Sequence, residues 1–225
     1  MTIAGFDMQM ETPASPHGAS PADDEVVAAL MRRLDRPVVL VGMMGVGKTS
    51  LGRRLAALLD VAFVDADEEI EAAAQMTIPE IFAAYDEDYF RAGERRVIAR
   101  LMGEAPDETA HVEQIKVIAT GGGAFCDAET RELILRRGIT IWLDADLDTL
   151  VERTGRKANR PLLQGGNRRE ILARLKAERA AVYAHAPIHA QSGNGPHQRV
   201  TMQVIGAILA WLDAADQRAP SAHRR

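Results

Sequence analysis

The chain has 225 residues, 47% hydrophobic and 26% charged, with a net charge of -5 and a pI near 5.7. That balance suits one globular domain with a substantial core and excludes the basic footprint of a nucleic-acid binder. A single cysteine, Cys126, excludes an internal disulfide framework and fits a reducing compartment; six scattered histidines give no zinc spacing, and no apolar run is long enough to span a bilayer.

Residues 1–19 are rich in Pro, Ser, Gly and Met without periodicity, which predicts a disordered tail. They lack the basic start and apolar core of a signal peptide, so a cytoplasmic protein without membrane attachment is expected. "SPADDEVVAALMRRL" then carries a helix signature within an additional segment, 20–36. Ser20 can cap it, Pro21 fits its first turn, and Asp23 and Asp24 suit its positive end. Val27, Leu30, Met31 and Leu34 form one apolar stripe, for packing on the domain or for docking a partner.

After Arg36 the pattern changes. "PVVLVG" is a continuous apolar run, as in a strand buried on both faces, and a helix with Leu51, Leu55, Leu58 and Leu59 on one side follows. "VAFV" ends at Asp65, "IKVIAT" at Gly121 and "ITIWL" at Asp144, with a weaker strand at "PIHA". Helical patterns fall at 67–74, 77–84, 88–102, 127–137, 146–154, 168–184 and 198–213, leaving 214–225 as a C-terminal tail. This alternation predicts an α/β three-layer sandwich, a mostly parallel five-stranded sheet with helices on both faces. In such folds the ligand lies beyond the carboxyl ends of the strands. The informative stretches are therefore Gly42 to Thr49, Asp65 to Asp67, Gly121 to Gly123, and Asp144.

"GMMGVGKT", Gly42 to Thr49, matches G-x-x-x-x-G-K-[ST] between a predicted strand and a predicted helix. Glycines let the backbone wrap with its N–H groups turned towards phosphate oxygens, and the helix N-terminus adds positive character. Lys48 is placed to reach the β- and γ-phosphates, and the Thr49 hydroxyl to bind Mg²⁺. The motif alone leaves a phosphoryl transferase, a nucleotide-driven switch and a motor open, but no separate arm or repeat supports the last two.

At the second strand end, Asp65 and Asp67 are two residues apart, which on an extended segment turns both carboxylates to one side. Either they serve Mg²⁺ and a substrate hydroxyl, or one simply caps the helix "EEIEAAAQ". Arg91 and Glu94 in "YFRAGERRVI" share a helical face, as an exposed ion pair or as a guanidinium aimed at a substrate carboxylate and steadied by Glu94. "ATGGGAF" is a tight turn or a close backbone approach to a small ligand. "ERTGRKANRPLLQGGNRRE", with Arg153, Arg156 and Arg160, is an exposed linker or a lid over phosphates. Arg179 lies in the helix beyond it.

Taken in order, "GMMGVGKT", "DAD", "FRAGE", "GGGA" and "RPLL" make the chain resemble the shikimate kinase family over about residues 37–213. The resemblance implies a P-loop kinase fold with a mobile lid at about 154–168, and transfer of the γ-phosphoryl group of ATP, with one Mg²⁺, to the 3-hydroxyl of shikimate on the route to chorismate. It implies a nucleotide site at Gly45, Val46, Gly47, Lys48, Thr49 and Ser50, with Arg153 beside adenine and Arg160 on the phosphates. Ser192 to Pro196 would close the base pocket. Mg²⁺ would take Thr49 directly and Asp65 through water. Asp67 would hold the shikimate hydroxyls and orient or deprotonate the attacking one; Arg91 and Arg179 would grip the carboxylate, Glu94 would position them, and Gly121, Gly122 and Gly123 would line the substrate. Lys48, Asp67 and Arg160 form the implied catalytic set, in a monomer. Where the family pattern has glycine, this chain has Asp86, which bears on the local turn. The rival kinase on this fold, gluconate kinase, also uses a hydroxylated acid, but the "FRAGE" arginine, "GGGA" and Asp67 favour shikimate. An ATP-binding regulator is disfavoured by the presence of Asp67 and Arg91.

Overall fold

A computed structural model describes residues 20–104, 115–155, 166–193 and 197–218. Both predicted tails fall wholly or partly outside this set, as do most of the lid segment, Arg156 and Arg160. Five short strands form the sheet: β1 (Val38–Val41), β2 (Ala62–Asp65), β3 (Lys116–Ala119), β4 (Ile139–Asp144) and β5 (Ile188–Gln191). Their order is β2-β3-β1-β4-β5, and every pairing is parallel. The expected mostly parallel sheet is thus parallel throughout the described strands. Every residue of β1 is buried, which is why that segment reads as an unbroken apolar run.

Parallel strands need long crossovers, and helices supply them. Between β1 and β2 lies α2 (Lys48–Leu58); its Gly52 lets the helix seat on the sheet, where a Cβ would come 2.5 Å from the Phe63 ring. Between β2 and β3 lie α3 (Ala66–Ala74), α4 (Ile78–Ala84) and α5 (Glu87–Leu101). A 3-10 turn (Ala124–Cys126) and α6 (Ala128–Arg137) lead to β4, and α7 (Leu147–Gly155) and α8 (Arg168–Tyr183) lead to β5. The chain closes with α9 (His197–Arg218).

Three local features bear on the sequence expectations. Asp86 caps α5 with ordinary extended backbone, φ -97°, its carboxylate accepting from the Tyr89 N–H at 2.8 Å, so no glycine is required there. The N-terminal segment forms α1 (Pro21–Met31), with the Ser20 side chain and Asp23 making a reciprocal cap. It packs on α9: Leu30 is fully buried, and Arg33 reaches Asp213 and Asp216. The predicted tail from 214 is helical to Arg218, because the two acids that Arg33 holds lie across that boundary.

Packing of α1 on α9 makes Leu30 a core residue. Leu30→Ala is expected to lower unfolding stability by about 2–4 kcal/mol through the lost apolar contact and the cavity left behind. Denaturant unfolding checks this, with a fall in midpoint at unchanged slope.

Candidate active site

The loop after β1 is shaped by backbone that only glycine adopts readily. Gly42 has φ +134°, and a Cβ there would lie 2.2 Å from the Leu143 carbonyl oxygen; Gly47, with φ +97°, caps α2 with no side chain in the way. Lys48 is buried, and its ammonium donates to the carbonyls of Gly42 (2.8 Å) and Met43 (3.0 Å), so it bridges the loop. Gly45 and Val46 complete the curve, while Ser50 is exposed on α2. Arg153 reaches in from α7, donating to the Val46 carbonyl (3.1 Å), the Ser192 hydroxyl (2.9 Å) and the Gly193 carbonyl (3.0 Å). It therefore ties the phosphate loop to the segment after β5.

Asp65 and Asp67 come together by a different route from strand alternation. The strand stops at Asp65 and α3 begins at Ala66, so Asp67 already lies in the first helical turn. Asp65 does two things: one oxygen accepts from the Asp67 N–H at 3.1 Å as a helix cap, and the other accepts from the Thr49 hydroxyl at 2.8 Å. The capping and the ligand-side readings of Asp65 are thus compatible. Thr49 and Asp65 present hard oxygen donors beside the start of α2, a set that suits Mg²⁺ retaining waters and phosphate oxygens. Among the described residues no cluster of three or more His, Cys, Asp or Glu forms a metal cage.

The turn after β3 is where the other side chains meet. A Cβ at Gly121 would lie 2.7 Å from both Asp67 Oδ1 and Glu94 Oε1. One at Gly123 would lie 2.6 Å from Arg91 Nη1, and one at Gly122 only 3.1 Å from the Met44 nitrogen of the phosphate loop. Arg91 Nη1 donates to Glu94 Oε2 at 2.7 Å, and Nη2 to Glu87 at 2.9 Å. From the opposite side, Arg179 Nη1 donates to the Gly122 carbonyl at 2.8 Å. Asp67, Arg91, Glu94 and Arg179, scattered over more than a hundred residues, therefore converge on three glycines.

Burial pushes the Glu94 carboxyl above the ordinary range, and the nearby Asp67 charge adds to this against the pull of Arg91. Desolvation alone would lower Arg91, but Glu94 and Glu87 outweigh it and hold the guanidinium firmly charged. Two participants carried no signal of their own in the sequence. Tyr183, one turn beyond Arg179, also donates to the Gly122 carbonyl, and Lys176, one turn before, pairs with Asp144 at the end of β4. Their spacing places all three on one helical face, which was visible; their partners were not.

A phosphate-binding loop opening a helix, next to arginines and carboxylates gathered at the neighbouring strand end, is the layout of a P-loop kinase for a small polar molecule. Comparison with known proteins narrows the class. The family model described as "Shikimate kinase" matches residues 44–209, and the chain belongs to the shikimate kinase family. A shikimate kinase of Novosphingobium aromaticivorans is 62% identical over 196 residues, covering 87% of this chain and 99% of its own. One from Rhodopseudomonas palustris is 46% identical over 92% of this chain and 97% of its own. Among solved structures, the shikimate kinase of Acinetobacter baumannii in complex with shikimate superposes with a TM-score of 0.73 at 34% identity, covering 80% of this chain and 97% of that one.

The raised Glu94 pKa has a signed consequence. The folded state holds this proton more tightly than the unfolded chain, so the contribution is complete below the ordinary value of 4.5 and is lost as pH rises through the folded value. Glu94→Gln removes that titration. The stability of the variant relative to wild type is expected to improve steadily as pH is raised from 4.5, as read by urea unfolding across pH.

Proposed function

We propose that this shikimate kinase works through the convergence at Gly121–Gly123, the observation that best supports assigning roles to individual side chains. The reaction moves the γ-phosphoryl group of ATP to the 3-hydroxyl of shikimate, giving shikimate 3-phosphate and ADP. Backbone amides of Gly45 to Ser50 and the N-terminus of α2 hold the phosphates, with Lys48 swinging from the Gly42 and Met43 carbonyls to the transferring group. Mg²⁺, held by Thr49 and through water by Asp65, supplies charge neutralisation on the phosphates when bound. Arg91 and Arg179 grip the shikimate carboxylate from two sides, and Glu94 and Glu87 keep Arg91 turned towards it. Asp67 accepts a hydrogen bond from the attacking hydroxyl and sets it in line. The barrier falls mainly through alignment and charge compensation, with no covalent intermediate on the protein.

Arg160 adds a further cation on the phosphates by the family pattern, and Arg153 flanks the base side of the loop. A monomer is the proposed working unit. A cytoplasmic location is proposed; no helix among the described residues is long and apolar enough to cross a membrane.

A coupled ADP-release assay with shikimate and MgATP tests the scheme, and pure folded protein inert towards shikimate but active on another acid would reject it. Arg91→Ala is expected to raise the shikimate KM by about 10- to 100-fold, the range for losing a charge-assisted double hydrogen bond, with the ATP KM unchanged. Asp67→Asn is expected to lower kcat by about 100-fold or more while nucleotide affinity measured by titration stays near wild type.

A further inference from the structure

We propose that Tyr183 is a positioning residue for the acceptor acid, acting through the Gly122–Gly123 peptide to aim the Gly123 N–H at the substrate carboxylate. This rests on the shikimate reading above, and what it adds is the role of Tyr183.

The Gly122 carbonyl oxygen receives two donors from one helix. Arg179 Nη1 lies at 2.8 Å, and the Tyr183 hydroxyl, four residues further along α8, reaches the same oxygen. Both lone pairs of the carbonyl are therefore engaged on the α8 side. Tyr183 is only 2% exposed, and its ring lies between Phe125, with centroids 6.4 Å apart and planes 12° apart, and Trp142, at 6.0 Å and 27°. Trp142 is itself stacked on His189 at 4.2 Å. The hydroxyl is thus delivered from a wedged ring with little freedom to swing. Burial also pushes its pKa up, which keeps it a donor throughout the working pH range.

A trans peptide is planar, so the carbonyl of one residue and the N–H of the next point in opposite directions. Anchoring the Gly122 carbonyl on α8 turns the Gly123 N–H away from α8. That N–H makes no hydrogen bond to any described residue, and Gly123 stands against the Arg91 guanidinium. An orientation fixed by two side chains, with a donor left over beside a cation, is the arrangement a carboxylate oxygen needs. Glycine at 122 and 123 makes the peptide easy to rotate, which is why an external anchor matters here more than elsewhere in the chain.

Tyr183→Phe keeps the wedged ring and leaves Arg179 on the carbonyl, so it removes the orienting bond without emptying the core. The expected result is a shikimate KM raised about three- to tenfold, the range for one net hydrogen bond, with kcat and the ATP KM unchanged. The Gly123 amide signal in a ¹⁵N spectrum should move on adding shikimate to wild type, and move less in the variant. A variant with the wild-type shikimate KM overturns the role of Tyr183 alone. Equal rises in both KM values also overturn it, in favour of a purely structural tyrosine. Wild-type enzyme inert towards shikimate overturns the parent reading, and the proposed acceptor with it.

Discussion

Everything at this site depends on β1 lying directly beside β3. The two strands pair in parallel, with Val38 opposite Val117 and Leu40 opposite Ala119. They therefore end level, and the phosphate loop and the glycine turn leave the sheet side by side. Thr120 locks the junction, its N–H and hydroxyl both bonding the Leu40 carbonyl at 3.1 Å. Because parallel neighbours cannot be joined by a hairpin, the chain between them must travel through α2, β2 and three more helices. That excursion brings Asp65, Asp67, Arg91 and Glu94 to the same edge. The parallel pairing and its crossover thus gather the phosphate loop and these four side chains at one edge of the sheet.

The electrostatics of the acceptor half carry a cost that the fold tolerates there. Glu94 is 2% exposed and bonds Arg91 through one oxygen, while its other oxygen has no hydrogen-bond partner among the described residues. An unsatisfied buried carboxylate oxygen costs about 1–3 kcal/mol. In return Arg91 is clamped between Glu94 inside and Glu87 outside, with its guanidinium 5.2 Å from the Phe90 ring centre. A long, flexible cation is so held in one orientation by the protein itself. Among the described residues the Arg168 Nε is the other buried side-chain polar atom without a hydrogen-bond partner, so the departure from good packing at Glu94 is rare in this chain.

The sequence made the local parts of this design legible and hid the distant ones. The phosphate loop could be read because its glycines, lysine and threonine act on their own few residues. Asp65 and Asp67 were visible as a pair, yet the reason they meet is a helix cap rather than a pleat, a difference of one residue in where α3 starts. Arg179 is legible as one more cation beyond the basic stretch, but its place at the acceptor carboxylate comes only through the family pattern, since nothing near it in sequence says that it points at Gly122. Tyr183 stayed hidden for the same reason: its partner is a main-chain carbonyl 61 residues away. Helix α9 runs past 213 to Arg218, and the partner of Asp216 in that added stretch is Arg33, 183 residues earlier. Periodicity reports faces of elements, and it is silent about which distant backbone group a face will meet.

One helix ties these distant meetings together. Along a single face of α8, Lys176 bonds Asp144 and the Ala145 carbonyl at the end of β4, while Arg179 and Tyr183 hold Gly122 beyond the end of β3. In the sheet, β3 and β4 are not neighbours, for β1 runs between them. The helix therefore spans the phosphate loop like a ruler, fixed to the strand end on each side. The Asp144 carbonyl also takes the Ser192 N–H, and Ser192 holds Arg153 against the loop. Acceptor turn, phosphate loop and nucleotide flank are joined through one rigid rod and one arginine. The helix thereby fixes the Gly122 turn relative to the end of β4, with the strand that carries the phosphate loop between them.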